Sequence, residues 1–167
     1  MSAQPLSLDT LAARLPTKAR LLGVDLGTKT IGLALSDVER RIATPLVTLS
    51  RTSFAKDAEA LSAQILKFEV FALILGLPYD MNGAEGPRAQ STRAFARNIG
   101  RREAVPIAFW DERFSTAAVN RALIANDVSR ARRAEVVDKM AAAYILQGAL
   151  DRLAGIAAVS ATAIRAF

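Results

Sequence analysis

The sequence of 167 residues contains neither cysteine nor histidine. Without cysteine there can be no disulfide, no thiolate nucleophile and no cysteine-ligated zinc or iron-sulfur site. Without histidine there can be no Ser-His-Asp triad and no imidazole base. A bound metal must be ligated by oxygen, which favours Mg²⁺, Mn²⁺ or Ca²⁺ over softer transition metals. Any catalysis therefore depends on carboxylates, hydroxyls, lysine and arginine.

Long hydrophobic segments are also scarce in this sequence. The N-terminal segment has no signal-peptide pattern, because Asp9, Arg14 and Lys18 interrupt its apolar residues. The apolar stretch Ala154–Ile164 is shorter than the roughly 20 residues that a membrane span requires. We therefore expect a soluble cytoplasmic protein with no membrane partner.

The chain has fewer acidic residues than basic residues. The chain has 22 lysine and arginine residues against 16 aspartate and glutamate residues, a net charge of +6. Most of the cations are arginine, whose planar guanidinium suits phosphate, so a polyanionic partner is favoured. The length fits one domain, which we expect over residues 19–155, between a flexible N-terminal arm (1–18) and a C-terminal tail (156–167). We expect a monomer or a weak homodimer.

Hydrophobic periodicity predicts a mixed α/β fold with the element order β-β-β-α-β-α-β-α-α. An antiparallel meander is followed by parallel crossovers, which gives a mixed five-stranded sheet with helices on both faces. The continuous apolar run 70–77 is typical of a strand that helices cover on both faces. The predicted strands are 21–26, 30–36, 42–49, 70–77 and 105–110, and the predicted helices are 54–68, 88–102, 115–126 and 134–153.

Three carboxylates occupy unusual positions. Asp25 lies inside the apolar first strand, Glu112 follows the fifth strand, and Asp138 lies among small and apolar residues of the last helix. If strands one and five are neighbours and the last helix crosses their ends, the three acids converge, and their repulsion favours a divalent cation between them. Each acid also has a plain structural interpretation: Asp25 could accept hydrogen bonds from the following turn, Glu112 could be a solvated strand end beside Arg113, and Asp138 could pair with a neighbouring cation.

Four motifs follow one another in the chain: Gly23–Asp37 (GVDLGTKTIGLALSD), Gly76–Pro87 (GLPYDMNGAEGP), Asp111–Thr116 (DERFST) and Val137–Ala142 (VDKMAA). Together they resemble the successive motifs of the YqgF family, also called RuvX and named for Holliday junction resolvases, in the RNase H-like superfamily. The resemblance implies an RNase H-like fold and a metal-dependent nuclease that matures the 5′ end of bacterial 16S ribosomal RNA. By position, it implies that the catalytic acids and the ligands of Mg²⁺ or Mn²⁺ are Asp25, Glu112 and Asp138.

Polar and basic residues around these acids are candidate contacts to nucleic acid. Hydroxyls, turn amides and lysine suit a phosphate, and arginines on a helix can follow a phosphate backbone. The plain alternatives are an exposed turn lysine, a loop that only connects two elements and a solvated helix face. The predicted nucleic-acid contacts are Thr28, Lys29, Asn82, Gly83, Arg88, Arg93, Arg97, Arg113, Arg132 and Arg133.

These features suggest four functions, of which the first two fit them best. The first is a nuclease that processes structured pre-16S rRNA, and the second is a resolvase that cuts four-way DNA junctions; the shared phosphate chemistry does not separate them. The third is an ATP-binding relative of actin and sugar kinases, since GVDLGTKT also resembles their first phosphate loop, but 167 residues provide only one of the two lobes that such a fold needs. The fourth is a catalytically silent RNA-binding domain, which the three acids disfavour because carboxylates repel RNA.

Overall fold

The computed structural model describes residues 4–114 and 133–165. Its strands are β1 (Arg20–Leu26), β2 (Thr30–Ser36), β3 (Ala43–Ser50), β4 (Val70–Leu77) and β5 (Ile107–Asp111). Its helices are α1 (Leu8–Ala12), α2 (Phe54–Lys67), α3 (Pro87–Arg102) and α4 (Arg133–Arg165), with a 3₁₀ turn at Glu112–Phe114. The predicted helix 115–126 lies outside the described residues.

The five strands form one mixed sheet in the order β3-β2-β1-β4-β5. β1 pairs antiparallel with β2, and β2 pairs antiparallel with β3. β4 pairs parallel with both β1 and β5. This arrangement confirms the predicted antiparallel meander followed by parallel crossovers.

Each face of the sheet carries its own core, because successive residues of a strand point to opposite faces. On one face, Leu22 and Val24 of β1 pack with residues of α2 and α3, including Leu61 and Ile99. On the other face, the alternate β1 residue Leu21 packs in a core to which α1 and α4 contribute. The helices on both faces match the predicted fold class, and the α4 face is the one that carries the candidate site.

The structure corrects one premise about strand order. The predicted convergence of the three acids assumed that strands one and five are neighbours, but β4 lies between them. The sequence of β4 explains its inner position. Nearly every residue in Val70–Leu77 is apolar and buried, so both faces of the strand are covered by other parts of the protein. Residues from β1 and β5 can therefore approach each other only across β4.

Residues of the predicted N-terminal arm pack against the domain. The amide of Leu6 donates to the carbonyl of Ile107 on β5 at 2.7 Å, and Leu11 of α1 is fully buried. At the other end, α4 continues to Arg165, through most of the segment that was expected to be a tail. Ser7 caps α1 by accepting a hydrogen bond from the amide of Thr10, which fixes where this short helix begins.

One part of α4, Val136–Ala163, is long and apolar enough to cross a membrane when length and composition alone are considered. The core helix of a globular protein meets the same criterion. Part of α4 is such a core helix, because Ala142, Leu146 and Leu150 are buried in the core on one face of the sheet. The segment is therefore weak support for a membrane span.

Candidate active site

Asp25 lies near the end of β1 and is only 4% exposed. Its side chain belongs to the face that α4 covers, because the alternate residues Val24 and Leu26 pack in the core on the opposite face. Asp25 pairs with Gly32 on β2. On the other side, Gly76 of β4 follows Leu75, which is the partner of Val24. Asp25 therefore has a glycine on each neighbouring strand.

These two glycines leave the space in which the other two predicted acids lie. A Cβ atom on Gly32 would stand 2.1 Å from the main-chain oxygen of Asp138, and a Cβ atom on Gly76 would stand 2.6 Å from Oε1 of Glu112. Adjacent strands are about 4.8 Å apart. Asp138, Asp25 and Glu112 thus lie over three consecutive strands, at one end of the face that α4 covers.

Asp138 is held by a residue of the β1–β2 turn. The hydroxyl of Thr30 donates a short hydrogen bond to Oδ2 of Asp138. Sequence reasoning did not identify Thr30 as part of the site. No local pattern could have shown this contact, because 108 positions separate the two residues.

A cavity of about 460 Å³ opens beside Asp25 and Asp138. Among residues 4–114 and 133–165, no three His, Cys, Asp or Glu side chains lie close enough together to hold a metal ion. The oxygen atoms of two carboxylates and of nearby hydroxyls are nevertheless the donors that a hard cation prefers. The structure brings Asp25 and Asp138 to one cavity and leaves Glu112 beside it. The cavity is lined by Asp25, Gly27, Thr28, Lys29, Thr30, Arg88 and Asp138.

Arg113, which follows Glu112, is engaged with a carboxylate of its own. Its guanidinium donates to both oxygens of Asp111, with Nη2 2.6 Å from Oδ2, and lies 4.8 Å from the centre of the Tyr79 ring. Burial acts to raise the pKa of Asp111, but the hydrogen bonds and charge of Arg113 outweigh it and hold that pKa below its usual value. The pair keeps Asp111 ionised and occupies much of the hydrogen-bonding capacity of Arg113.

Arg93 of α3 is likewise paired. Its Nε lies 2.8 Å from both carboxylate oxygens of Glu85, and Nη2 lies 3.3 Å from the hydroxyl of Tyr79. The hydrogen bonds from Arg93 hold the pKa of Glu85 below its usual value. The guanidinium also lies 4.9 Å from the centre of the Phe109 ring. Arg93 is therefore fixed between the loop before α3 and β5.

The remaining predicted contacts differ in their exposure and pairing. The side chain of Thr28 is exposed, and so are those of three cations, Lys29, Arg88 and Arg97. None of these three cations has an ion pair within the described part of the chain. In the loop 78–86, Oδ1 of Asn82 accepts from the amide of Ala84, and Gly83 has a φ of +82° that favours glycine. Arg132 lies outside the described residues, and Arg133 begins α4 with a side chain that is also outside them.

The fold defines the class of protein. The structure of Thermus thermophilus RuvC in complex with a Holliday junction substrate superposes with a TM-score of 0.52, covering 81% of this chain and 96% of that one at 11% identity. A second structure of Thermus thermophilus RuvC gives a TM-score of 0.50 at 14% identity, with the same coverage. The similarity shows that this chain has the same fold as RuvC, in agreement with the RNase H-like fold that the sequence motifs implied.

The family follows from the sequence comparison. The family model described as "RuvX: Holliday junction resolvase" matches residues 19–152, and the chain belongs to this family. A relative from Methylocella silvestris is 61% identical over 158 residues, which cover 95% of this chain and 98% of the relative. A relative from Paramagnetospirillum magneticum is 62% identical over 147 residues, which cover 88% and 95%. Both relatives carry the name "Putative pre-16S rRNA nuclease".

Proposed function

We propose that this protein is a metal-dependent nuclease that processes the 5′ end of pre-16S rRNA. The name of the relatives and their identity to nearly the whole chain support this substrate. The observation that carries the proposal is the cavity where buried Asp25 and half-buried Asp138 lie beside the exposed cations Lys29 and Arg88. The carboxylates suit a divalent metal ion, and the basic side chains beside them suit the phosphodiester on which the nuclease acts.

The three acids are the proposed metal ligands. Asp25 and Asp138, which share the cavity, would hold Mg²⁺ or Mn²⁺, and Glu112 would join them as a third ligand from beside the cavity. The ion would supply the Lewis acidity that activates water and stabilises charge on the phosphate. Asp25 is positioned by the central strand β1, and Asp138 is oriented by the hydroxyl of Thr30. Lys29 and Thr28, on the turn at the rim of the cavity, would bind a phosphate of the substrate.

The exposed arginines extend this surface away from the cavity. Arg88 lines the cavity, and Arg97 and Arg101 lie further along α3. Nine residues of an α-helix make about 2.5 turns, so Arg97 lies on the side of α3 opposite to Arg88. Arg97 and Arg101 line a second cavity beside Phe109, and they would contact a part of the substrate that lies away from the acids. Arg93 and Arg113 would contact phosphate either through the guanidinium nitrogen that their carboxylate partners leave free or by exchanging those partners for it. Asn82, Gly83, Arg132 and Arg133 complete the proposed surface.

A four-way DNA junction is the second candidate substrate, because the family model that matches this chain is described as a Holliday junction resolvase. The acids and cations of the site act on phosphate, which RNA and DNA share. We also propose that the protein works in the cytoplasm, apart from membranes, as a monomer or a weak homodimer.

The test compares the purified protein with the Asp25→Asn variant on labelled pre-16S rRNA and on a four-way DNA junction, each with Mg²⁺, Mn²⁺ or EDTA. The wild type should cut the rRNA precursor only with metal, and Asp25→Asn should reduce cleavage to background. Asparagine has nearly the same shape as aspartate, so the thermal unfolding midpoint should change little. Asp9→Asn, at an exposed position of α1, is the matched control and should keep full activity. Preferential cutting of the junction would select the second substrate, and full activity of Asp25→Asn would refute the site.

A further inference from the structure

Arg51, which directly follows β3, contacts the turn between β1 and β2 at two points. Its guanidinium Nη1 donates to the carbonyl oxygen of Gly27 at 2.7 Å, and its backbone amide donates to the carbonyl oxygen of Lys29 at 2.8 Å. The turn has its own closing hydrogen bond, from the amide of Gly27 to the carbonyl of Thr30 at 2.9 Å. Arg51 therefore adds a constraint on a turn that is already closed.

The position of Arg51 is set by Asp57 in the first turn of α2. Nε of Arg51 lies 3.8 Å from Oδ2 of Asp57, while Oδ1 of Asp57 accepts from the amide of Thr52 at 3.0 Å. Asp57 is only 4% exposed, and within the described part of the chain Asp25 is the other buried charged residue. A buried carboxylate is costly unless it is paired, so Asp57 holds the guanidinium in place.

The constrained turn connects the two acids that share the cavity. Asp25 lies two residues before Gly27, and Thr30 at the end of the turn donates to Asp138. A displacement of the turn would therefore change the placement of both carboxylates. Arg51 lines an adjacent cavity with Gly27 and Thr28 of the turn, but not the cavity beside Asp25 and Asp138, so we expect its influence on the two acids to pass through the turn.

We propose that Arg51, held by Asp57, is a positioning residue that fixes the turn Gly27–Thr30 and through it the relative placement of Asp25 and Asp138. This inference rests on the proposed nuclease function. The proposed role of Arg51 differs from ordinary stabilisation of the fold, because Arg51 would fix the relative positions of the Asp25 and Asp138 carboxylates. Loss of the guanidinium should lower the rate of the chemical step and weaken metal binding in molecules that remain folded.

The experiment measures kcat and KM for pre-16S rRNA cleavage, and separately the rise in melting temperature across a Mn²⁺ titration, for Arg51→Gln and Arg51→Lys. Displacements near 1 Å in a catalytic site can lower rates about 100-fold, so we expect kcat of Arg51→Gln to fall about 10- to 100-fold with little change in KM. Arg51→Lys should recover part of this loss, because lysine keeps the charge but cannot contact the carbonyl of Gly27 and the carboxylate of Asp57 with two different nitrogen atoms. Arg41→Gln, which removes an exposed ion pair with Glu39, is the matched control.

A double variant tests whether the effect passes through the turn. If Arg51 acts through Thr30, then Arg51→Gln combined with Thr30→Val should lose little more activity than the more damaging single variant. Independent, multiplicative losses would refute that route. A lower melting temperature for Arg51→Gln with wild-type kcat and a wild-type Mn²⁺ response would reduce Arg51 to a structural role.

The two readouts also separate this inference from the proposed function. If the wild type cuts neither nucleic acid, the proposed function fails, while the Mn²⁺ titration still decides the role of Arg51. An Mn²⁺ response that is absent from the wild type, or equal in wild type, Arg51→Gln and Arg41→Gln, would overturn the inference whatever the substrate.

Discussion

Replacing Gly32 by alanine tests whether the close approach of α4 to the sheet places Asp138. The added Cβ would stand 2.1 Å from the main-chain oxygen of Asp138, 2.3 Å from its carbonyl carbon and 2.9 Å from the amide nitrogen of Lys139. All three neighbours are backbone atoms, so no side chain can rotate away. Either α4 or β2 must move.

The size of the movement follows from ordinary contact distances. Bringing the Cβ–oxygen distance from 2.1 Å to an uncrowded 3.4 Å needs a shift of about 1.3 Å. Overpacking of this kind costs about 1 to 3 kcal/mol, and for a chain of this length each kcal/mol lowers the melting temperature by about 2 to 4 °C. A shift of this size at Asp138 should also lower the cleavage rate about 100-fold, because catalysis depends on geometry within about 1 Å.

The assay is cleavage of pre-16S rRNA at a temperature well below the melting temperature of the variant, so that the loss of rate refers to folded protein. Gly155→Ala is the matched control. It lies in the exposed part of α4, where an added Cβ meets nothing within 4 Å. Alanine is favoured over glycine inside a helix by about 0.5 to 1 kcal/mol, so this control should be slightly stabilised and fully active. Wild-type stability and rate in Gly32→Ala would refute the reasoning.

Three further predictions follow from the structure. Replacing Arg97 and Arg101 together by glutamine should reduce the slope of log K against log salt for single-stranded RNA binding by about 1.4, or about 0.7 per lost contact; an unchanged slope would make them a solvated face. Mn²⁺ at 100 times its dissociation constant should stabilise the folded wild type by about 2.7 kcal/mol, which raises its melting temperature by roughly 5 to 10 °C. The rise should be smaller in Asp138→Asn, and an equal rise in both proteins would place Asp138 outside the site. Finally, hydrogen bonds, chiefly from the amide of Ile42, lower the pKa of Asp37 from 3.8, so the stability they provide is present at neutral pH and is lost as the pH falls through the lowered value. Urea unfolding of Asp37→Asn at pH 7 and pH 3 should therefore show a smaller acid sensitivity than the wild type.

Local pattern was enough to predict most of the elements of this fold. β2 and β4 have the predicted bounds, and α2 buries the predicted apolar stripe of Ala58, Leu61 and Ile65. The unusual position of Asp25 inside an apolar strand was also visible in the sequence. These features depend on residues near one another in the chain, where alternation, helical spacing and turn chemistry act directly.

The order of the strands was not predictable in the same way. It depends on which edge each crossover reaches, and no local pattern states that β4 separates β1 from β5. The bond from Thr30 to Asp138 depends on the docking of α4 and was missed for the same reason.

Three arginines of α3, spaced four residues apart, show a different limit of sequence reasoning. Helical spacing predicts that Arg93, Arg97 and Arg101 share one face, but it does not show which of them is already paired. Arg93 is bound to Glu85, which belongs to the preceding loop, while Arg97 is exposed and has no ion pair in the described residues. Pairing between a helix and a loop depends on the loop conformation, which turn signals alone leave undetermined.

The order of the elements along the chain also has a consequence for biosynthesis. Asp25 belongs to the first strand, whereas Asp138 belongs to the last helix, which packs on β1, β2 and β3. The two acids are 113 positions apart, which a ribosome working at about 5 to 20 residues per second needs roughly 6 to 23 s to synthesise. A growing chain can form the β1–β3 meander during that interval, but the cavity lacks its second carboxylate until α4 has been made and has docked. The proposed nuclease activity is thereby delayed until α4 has left the ribosome's exit tunnel and packed on the sheet.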